Sequence, residues 1–548
     1  MSAGVPKWLV PLLVLIIGTF VSVLDVSIVN VAIPDIQKDF GTSTEDIQWV
    51  STAYSLTLGV LVPATGWLGD RFGMRRIYWV SLIGFAVTSG LCGLAWDLPS
   101  IVVFRILQAV PGGILPVVTM TMVYKIVPSR EIGTAMGIYG LGVVFAPAAG
   151  PTLGGYLVEY IDWRLIFFIN VPVGLLGAVA AFMVLDEFPR PSLGRFDLWG
   201  FGTAAAGLFA LLLAFTKGPD WGWDSYRVLT LIVGGVLSLA LFVVVELGTD
   251  DPLLDVRLFA IWPFSNSLIL LTALFVGLFA VLFYIPLFLQ SGQGIRPLHA
   301  GLILLPEAIV MGIFTPISGL LYDLIGPRWP SVLGLGLAAY GTYLLAGITA
   351  DVPESQIILW TCIRAAGNGL AMMCIMTAGL AAVPARAVNG AGAINNVAQR
   401  VASALGLALL VAMETASQAQ LTADRSALIP PNALSPAPVD PVGAGAQQIQ
   451  NLYPVWGRLQ LEVTAASFGN VFLVTAVVTA VGAVAALLLR VKPAGRVGPA
   501  EPAAPAGEHP PAGEGSGATA EGSGATAEGR AAADRDGDLE DRSGALVR

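Results

Sequence analysis

The chain has 548 residues, of which 55% are hydrophobic and only 12% charged. A soluble globular protein carries about 25% charged residues, so that class is excluded. Much of the net charge of −9 sits in the C-terminal tail, no basic patch marks a nucleic-acid partner, and two histidines with three scattered cysteines leave little room for imidazole catalysis, a metal site or a disulfide framework.

The rest reads as successive apolar runs of about 20 residues, the length that crosses about 30 Å of hydrocarbon as helix. In chain order they predict fourteen spans. These lie near 9–33, 47–68, 77–96, 101–124, 133–158, 164–185, 198–216, 228–247, 263–289, 298–322, 330–349, 356–383, 389–412 and 465–489. The class is an all-α polytopic membrane protein. The first run is too long for a cleaved signal and is expected to remain as a helix. Lys and Arg favour one set of short loops, among them Lys7, Arg71, Arg75, Arg76, Lys125 and Arg130. The positive-inside rule then places both termini in the cytoplasm. Residues 414–464 form a polar extracytoplasmic loop. Residues 491–548, rich in Pro, Gly, Ala and Glu, read as a disordered cytoplasmic tail.

Internal repetition is plain. "GWLGDRFGMRR" (66–76) and "GLLYDLIGPRW" (319–329) share a Gly-x-x-x-Asp-x-x-Gly-x-Arg pattern at an offset of 253 residues. Gly66, Asp70, Gly73 and Arg75 match Gly319, Asp323, Gly326 and Arg328. "VPSREIGTAMGI" (127–138) and "VPARAVNGAGAI" (383–394) repeat at 256 residues, and Arg105 and Arg364 each open a Gly-containing span. The expected domains are a six-helix half over 1–185, two inserted helices over 186–255 and a second six-helix half over 256–490. Duplicated helical halves are the architecture of secondary transporters, with substrate bound between them near the midplane.

On these residues the chain resembles the major facilitator superfamily, and more closely its fourteen-span drug:proton antiporters, the QacA and EmrB branch. The resemblance covers about residues 8–490. It rests on "LDVSIVNVAIPDI" (24–36), "WVSTAYSLTLG" (49–59), "GWLGDRFGMRR", "RILQAVPGG" (105–113), "GPTLGG" (150–155) and "WRLIFFINVPVG" (163–174). It implies the superfamily's fold and proton-coupled drug efflux. Gly150, Pro151, Gly154 and Gly155 resemble the motif associated with antiporters. Three departures stand out. Ser27 replaces a common Thr, Ala109 and Pro111 replace glycines after Arg105, and Ala146 replaces a Gly.

The candidate chemistry lies in the deep charges. An acid in a membrane helix marks a functional site by default, and Asp25 interrupts the first apolar run. Hydrocarbon favours its neutral form and a nearby guanidinium its carboxylate, so it can gain and lose a proton as access alternates. Arg105 falls in the same half of the bilayer and is the expected partner. Glu307 is a second deep acid, placed by the repeat opposite Tyr54. It is expected to bind a cationic drug or carry a second proton, with Arg364 and Arg400 as candidate partners, and Tyr54, Glu307, Arg364 and Arg400 are expected in the substrate cavity. Trp49, Tyr54, Phe283 and Tyr284 are candidates to line the cavity, while Glu246 and Glu414 read as interfacial. Gly66, Asp70, Arg71, Gly73, Arg75 and Arg76 form an expected cytoplasmic gating turn. There Asp70 pairs with an Arg and caps a helix, latching the halves.

The function expected is proton-coupled efflux of amphipathic molecules across a bacterial cytoplasmic membrane. A dedicated exporter of one metabolite, antibiotic, siderophore or lipid is the alternative. Expected partners are small-molecule substrate, protons and the bilayer, with no nucleic acid, cofactor or metal. The chain is expected to act as a monomer and not as an enzyme.

Overall fold

The structure, a computed structural model, describes residues 6–188, 196–249, 252–384, 387–427 and 444–489. The expected tail over 491–548 and the middle of the 414–464 loop lie outside the described residues.

The first set of helices runs α1 (Leu9–Phe40), α2 (Thr44–Ile47), α3 (Trp49–Phe72), α4 (Met74–Gly93), α5 (Leu98–Ile126), α6 (Ile132–Tyr160), α7 (Leu165–Phe168) and α8 (Asn170–Val184). Then come α9 (Leu198–Trp221) and α10 (Tyr226–Gly248). The second set is α11 (Trp262–Leu287), α12 (Pro297–Ile325), α13 (Arg328–Leu345), α14 (Glu354–Ala381), α15 (Val388–Ala427) and α16 (Ala444–Ala486).

Among the described residues, twelve helical segments are long and apolar enough to cross a membrane. The fourteen-span expectation includes two more, α3 and α13, which have 24 and 18 residues but fall short of that apolarity. Several of their polar side chains are turned inward: Thr52 and Thr65 on α3 and Ser331 and Thr342 on α13 are buried. Such helices hide polarity against neighbours instead of showing it to lipid. The loop expectation also changes. α15 continues to Ala427 and α16 already begins at Ala444, so both ends of the polar 414–464 stretch are helical. Ala, Leu, Gln and Glu there favour helix whatever their polarity.

The two sets pack by the same plan. α1 lies against α5, α6 and α8; α3 and α4 lie against α5, and α4 against α8. Likewise α11 lies against α14, α15 and α16; α12 and α13 lie against α14, and α13 against α16. The sets meet reciprocally, α6 on α12 and α15 on α3. α9 packs on both α3 and α15, and α10 packs mainly on α9.

Small residues set the closest approach between the sets. A Cβ on Gly319 of α12 would lie 2.0 Å from the Gly133 carbonyl oxygen of α6, and one on Gly137 2.8 Å from Pro316 Cα. Backbones that close leave no room for a methyl group. Gly319→Ala should therefore cost about 1–3 kcal/mol and lower the melting temperature in detergent. Gly336→Ala, where a Cβ meets nothing within 4 Å, should not lower it and should raise it slightly, because Ala favours a helix interior over Gly.

Candidate functional site: a buried carboxylate–guanidinium cluster

Asp25 lies mid-way along α1 and is fully buried. Arg105 reaches it from α5. That helix starts at a capping box, with the Asp97 side chain accepting from Ser100 N and Ser100 Oγ from the Asp97 backbone. A fixed start fixes the depth of Arg105, about 10 Å along the helix at about 1.5 Å per residue. Arg105 Nη1 donates to Asp25 Oδ2 and, at 2.8 Å, to Gln108 Oε1. Its Nε donates to the Val50 carbonyl at 3.3 Å. Its guanidinium lies over the Tyr54 ring, 3.8 Å from the centroid.

The other carboxylate oxygen is also occupied. Asp25 Oδ1 accepts from Gln108 Nε2 at 2.9 Å and from Asn170 Nδ2 at 3.0 Å. Asn170 opens α8 and also donates to Ser89 Oγ, at 3.2 Å. The expected Asp25–Arg105 pairing is thus present, in a polar cluster of five helices without access to solvent. Removing one member of a buried pair typically costs about 3–5 kcal/mol, because the other charge is left unmatched. Asn170 was not singled out from sequence. Its signal was a lone amide in the apolar run "LIFFINVPVGLL".

The second set holds its own pair. Arg364 Nη2 of α14 donates to Glu307 Oε1 of α12. Tyr54 and Glu307 match at the 253-residue offset, and Arg105 and Arg364 at 259. Hence the same place in each set holds an arginine on a tyrosine face or an arginine on a carboxylate. Of the two candidate partners of Glu307, Arg364 is thus the one that holds it. Arg400 does not join them. Among the described residues its guanidinium has no ion pair or hydrogen bond, and its Nε is buried. Tyr54 lies within electrostatic range of Asp25, Arg105 and Arg400. Of the other aromatic candidates, Tyr284 is buried against Phe468, ring centroids 4.9 Å apart, Phe283 points outward at 44% exposure, and Trp49 packs against α9 residues. Glu246 is buried and accepts from Leu254 N at 3.2 Å, whereas Glu414 borders a cavity of about 400 Å³ with Gln418, Gln460 and Thr464.

The gating-turn residues sit where α3 meets α4. Gly73 turns the chain at φ 89°, as Gly326 does at φ 83° in the repeat. Asp70 does not pair with an Arg as expected. It accepts from Asn389 Nδ2 of α15 at 2.5 Å, and Gly66 lies against Asn389. Arg75 instead donates to the Phe182 carbonyl and lies over that ring, 5.1 Å away, while Arg71 and Arg76 are exposed. The helix-capping role falls to Asp323, which accepts from Gly133 N at 2.9 Å, Thr134 N at 2.7 Å and Thr134 Oγ1 at 2.8 Å at the start of α6. Tyr124 Oη donates to the Thr377 carbonyl at 3.3 Å. All three links join the two sets at the Asp70 end.

α6 carries the glycine motif against α1. A Cβ on Gly150 would fall 2.4 Å from Ser27 Oγ, and one on Gly154 2.8 Å from Ile28 Cγ1; one on Gly155 would meet nothing within 4 Å. Pro151 has no N–H for the carbonyl four residues back, which belongs to Pro147. Ser27 Oγ donates to that oxygen at 2.9 Å. The α1 helix that bears Asp25 therefore supplies the bond that the α6 proline removes.

Known proteins bear on this arrangement. The family model described as Major Facilitator Superfamily matches residues 15–407. The chain belongs to that superfamily. It is accordingly a multi-pass membrane transporter of small molecules and not an enzyme. Its relatives in the superfamily include the uncharacterized MFS-type transporter YhcA of Bacillus subtilis (strain 168), 37% identical over 404 residues, 74% of this chain and 76% of that protein. The tetracenomycin C resistance and export protein of Streptomyces glaucescens is 34% identical over 402 residues, 73% and 74% of the two chains. Multidrug resistance protein Stp of Mycobacterium tuberculosis (strain ATCC 25618 / H37Rv) is 31% identical over 397 residues, 72% and 73%. Among solved superfamily structures, the proton:xylose symporter XylE aligns with a TM-score of 0.56 at 13% identity, covering 85% of this chain and 94% of that one. A bacterial homolog of the human lysosomal transporter Spinster aligns at 0.52 and 19%, covering 90% and 100%. These two likenesses concern the fold alone.

The Ser27 bond gives this superfamily member a testable joint. Ser27→Ala should lower stability by about 1 kcal/mol, since it leaves the half-buried Pro147 carbonyl without its donor. Pro151→Ala restores the N–H, so Ser27→Ala on that background should be nearly silent. A double-mutant cycle on unfolding in detergent should return a coupling of about 1 kcal/mol or more, and additive effects would contradict the joint.

Proposed function

We propose that the chain is a proton-driven exporter of amphipathic small molecules working by alternating access. The observation that carries this is the sealed Asp25–Arg105–Gln108–Asn170 cluster. Two of the relatives, named for tetracenomycin C resistance and export and for multidrug resistance, support efflux over uptake. The architecture proposed is two six-helix halves, residues 1–185 and 256–490, with 186–255 inserted between them. The matched packing of the two sets supports it. The Lys and Arg bias of the loops supports a cytoplasmic Asp70 end. With that end held by the Asp70, Asp323 and Tyr124 links, the proposed proton route to the buried cluster opens from the opposite, outer end.

The chemistry follows from the cluster. While Asp25 is ionised, Arg105 is bound to it and the amides of Gln108 and Asn170 hold the second oxygen. A proton on Asp25 cancels the attraction. Arg105 then keeps the Gln108 oxygen, the Val50 carbonyl and the Tyr54 face, so the guanidinium is not stranded. Loss of the bond frees α1 from α5, and the Ser27 bond carries α6 with α1. The altered packing lets the cytoplasmic links open, substrate enters, and the proton leaves inward. One specific observation favours a narrower reading: the 34% identical relative is named for a single compound. A dedicated exporter uses the same coupling.

In proteoliposomes with an imposed pH gradient, Asp25→Asn should reduce gradient-driven substrate flux at least tenfold. It should retain substrate exchange at equal pH on both sides. Full gradient dependence in that variant would sink the proposal.

A further inference from the structure

The deep charges of the two sets do not cancel. Asp25 is matched by Arg105, and Glu307 by Arg364. Arg400 is left over. It stands about 18 Å along α15 from Val388, at about 1.5 Å per residue, so it belongs to the membrane interior and not to a headgroup layer. Among the described residues nothing accepts from its guanidinium. It lies within electrostatic range of Tyr54, the ring that also covers Arg105. Further donors on the second set are idle: Arg364 Nε and Nη1, Asn368 Nδ2 and Asn395 Nδ2 are buried without partners. Arg364 and Asn368 are only 2% and 3% exposed and, four residues apart, share one face of α14.

A guanidinium at this depth with no acid or acceptor paired to it leaves a charge unbalanced. The idle donors of Arg364, Asn368 and Asn395 carry a separate cost, because each has lost water without gaining an acceptor. The imbalance at the half-buried Arg400 is relieved by a group with negative charge and several lone pairs. A cation would do the reverse. It would set a second positive charge against the unmatched one, and the deep acid Glu307 is already held by Arg364.

We propose that Arg400 is the receptor for an acidic group on the transported molecule. The substrate class is then an amphipathic anion, a carboxylate, enolate or phenolate on an apolar frame. The planar fork of a guanidinium suits such groups better than a point charge does. The inference rests on the exporter reading above and adds the sign of the cargo's charge.

Three probes on one frame test it: 1-pyrenebutyrate, its methyl ester and 1-pyrenebutylammonium. Binding to the purified full chain is read by fluorescence polarisation, and flux of each probe in proteoliposomes. The unaltered protein should bind the acid at least tenfold more tightly than the ammonium probe. Arg400→Gln should abolish that preference while leaving ester binding unchanged, and Arg400→Lys should keep part of it. Equal or tighter binding of the ammonium probe to the unaltered protein overturns the inference, as does binding of none of the three. A preference that survives Arg400→Gln overturns it too. The comparison on unaltered protein decides even if a variant does not fold. Acid preference without any flux upholds the anion site and counts against the exporter reading instead.

Discussion

A charge sunk in hydrocarbon must be matched where it stands, and in this protein that requirement organises the structure. Asp25 and Arg105 each lose water completely. They persist because five helices bring them partners: α1 and α5 the pair and Gln108, the α3 end the Val50 carbonyl and the Tyr54 face, α8 the Asn170 amide, and α4 the Ser89 hydroxyl behind it. Such a cluster resists substitution, since truncating Asp25 or Arg105 leaves the other charge unmatched. Protonation of Asp25 also uncouples the pair, but it is reversible and leaves every atom, and the neutral partners of Arg105, in place. That difference is what a coupling device needs.

The duplicated plan makes the asymmetry informative. Both sets keep an arginine at the equivalent place, Arg105 and Arg364, with Tyr54 and Glu307 as counterparts. The first set adds an acid on its leading helix, and α11, which leads the second, carries no charged residue. The two halves thus divide the work. One holds a closed, self-satisfied pair on a helix tied to α6 through Ser27. The other holds a closed pair and one open guanidinium, Arg400.

Much of this was legible before any coordinates. Hydrophobic run lengths marked the helices, and the 253-residue repeat aligned Tyr54 with Glu307. Depth counting from helix ends put Asp25 and Arg105 in reach. Other features hide from sequence for physical reasons. Rotation about a helix axis decides which polar side chains face inward, so Asn170 looked no different from an interfacial amide. Charge counting assigned Asp70 an Arg, yet a neutral amide, Asn389, sits across the joint and Arg75 turns to the end of α8. Depth alone offered Glu307 two partners, Arg364 and Arg400, and only side-chain geometry shows that Arg364 is the one that holds it. The ends of α15 and α16 were read as loop because polarity was taken for irregularity, whereas Ala and Gln extend a helix past the membrane as readily as within it.

The central claim is that Asp25 releases its proton as substrate binds. Proton release from the purified transporter in weakly buffered detergent, on addition of a transported substrate, tests it most directly. The account predicts release from the unaltered protein and from Glu307→Gln, and none from Asp25→Asn that still binds substrate. Undiminished release from Asp25→Asn would contradict it.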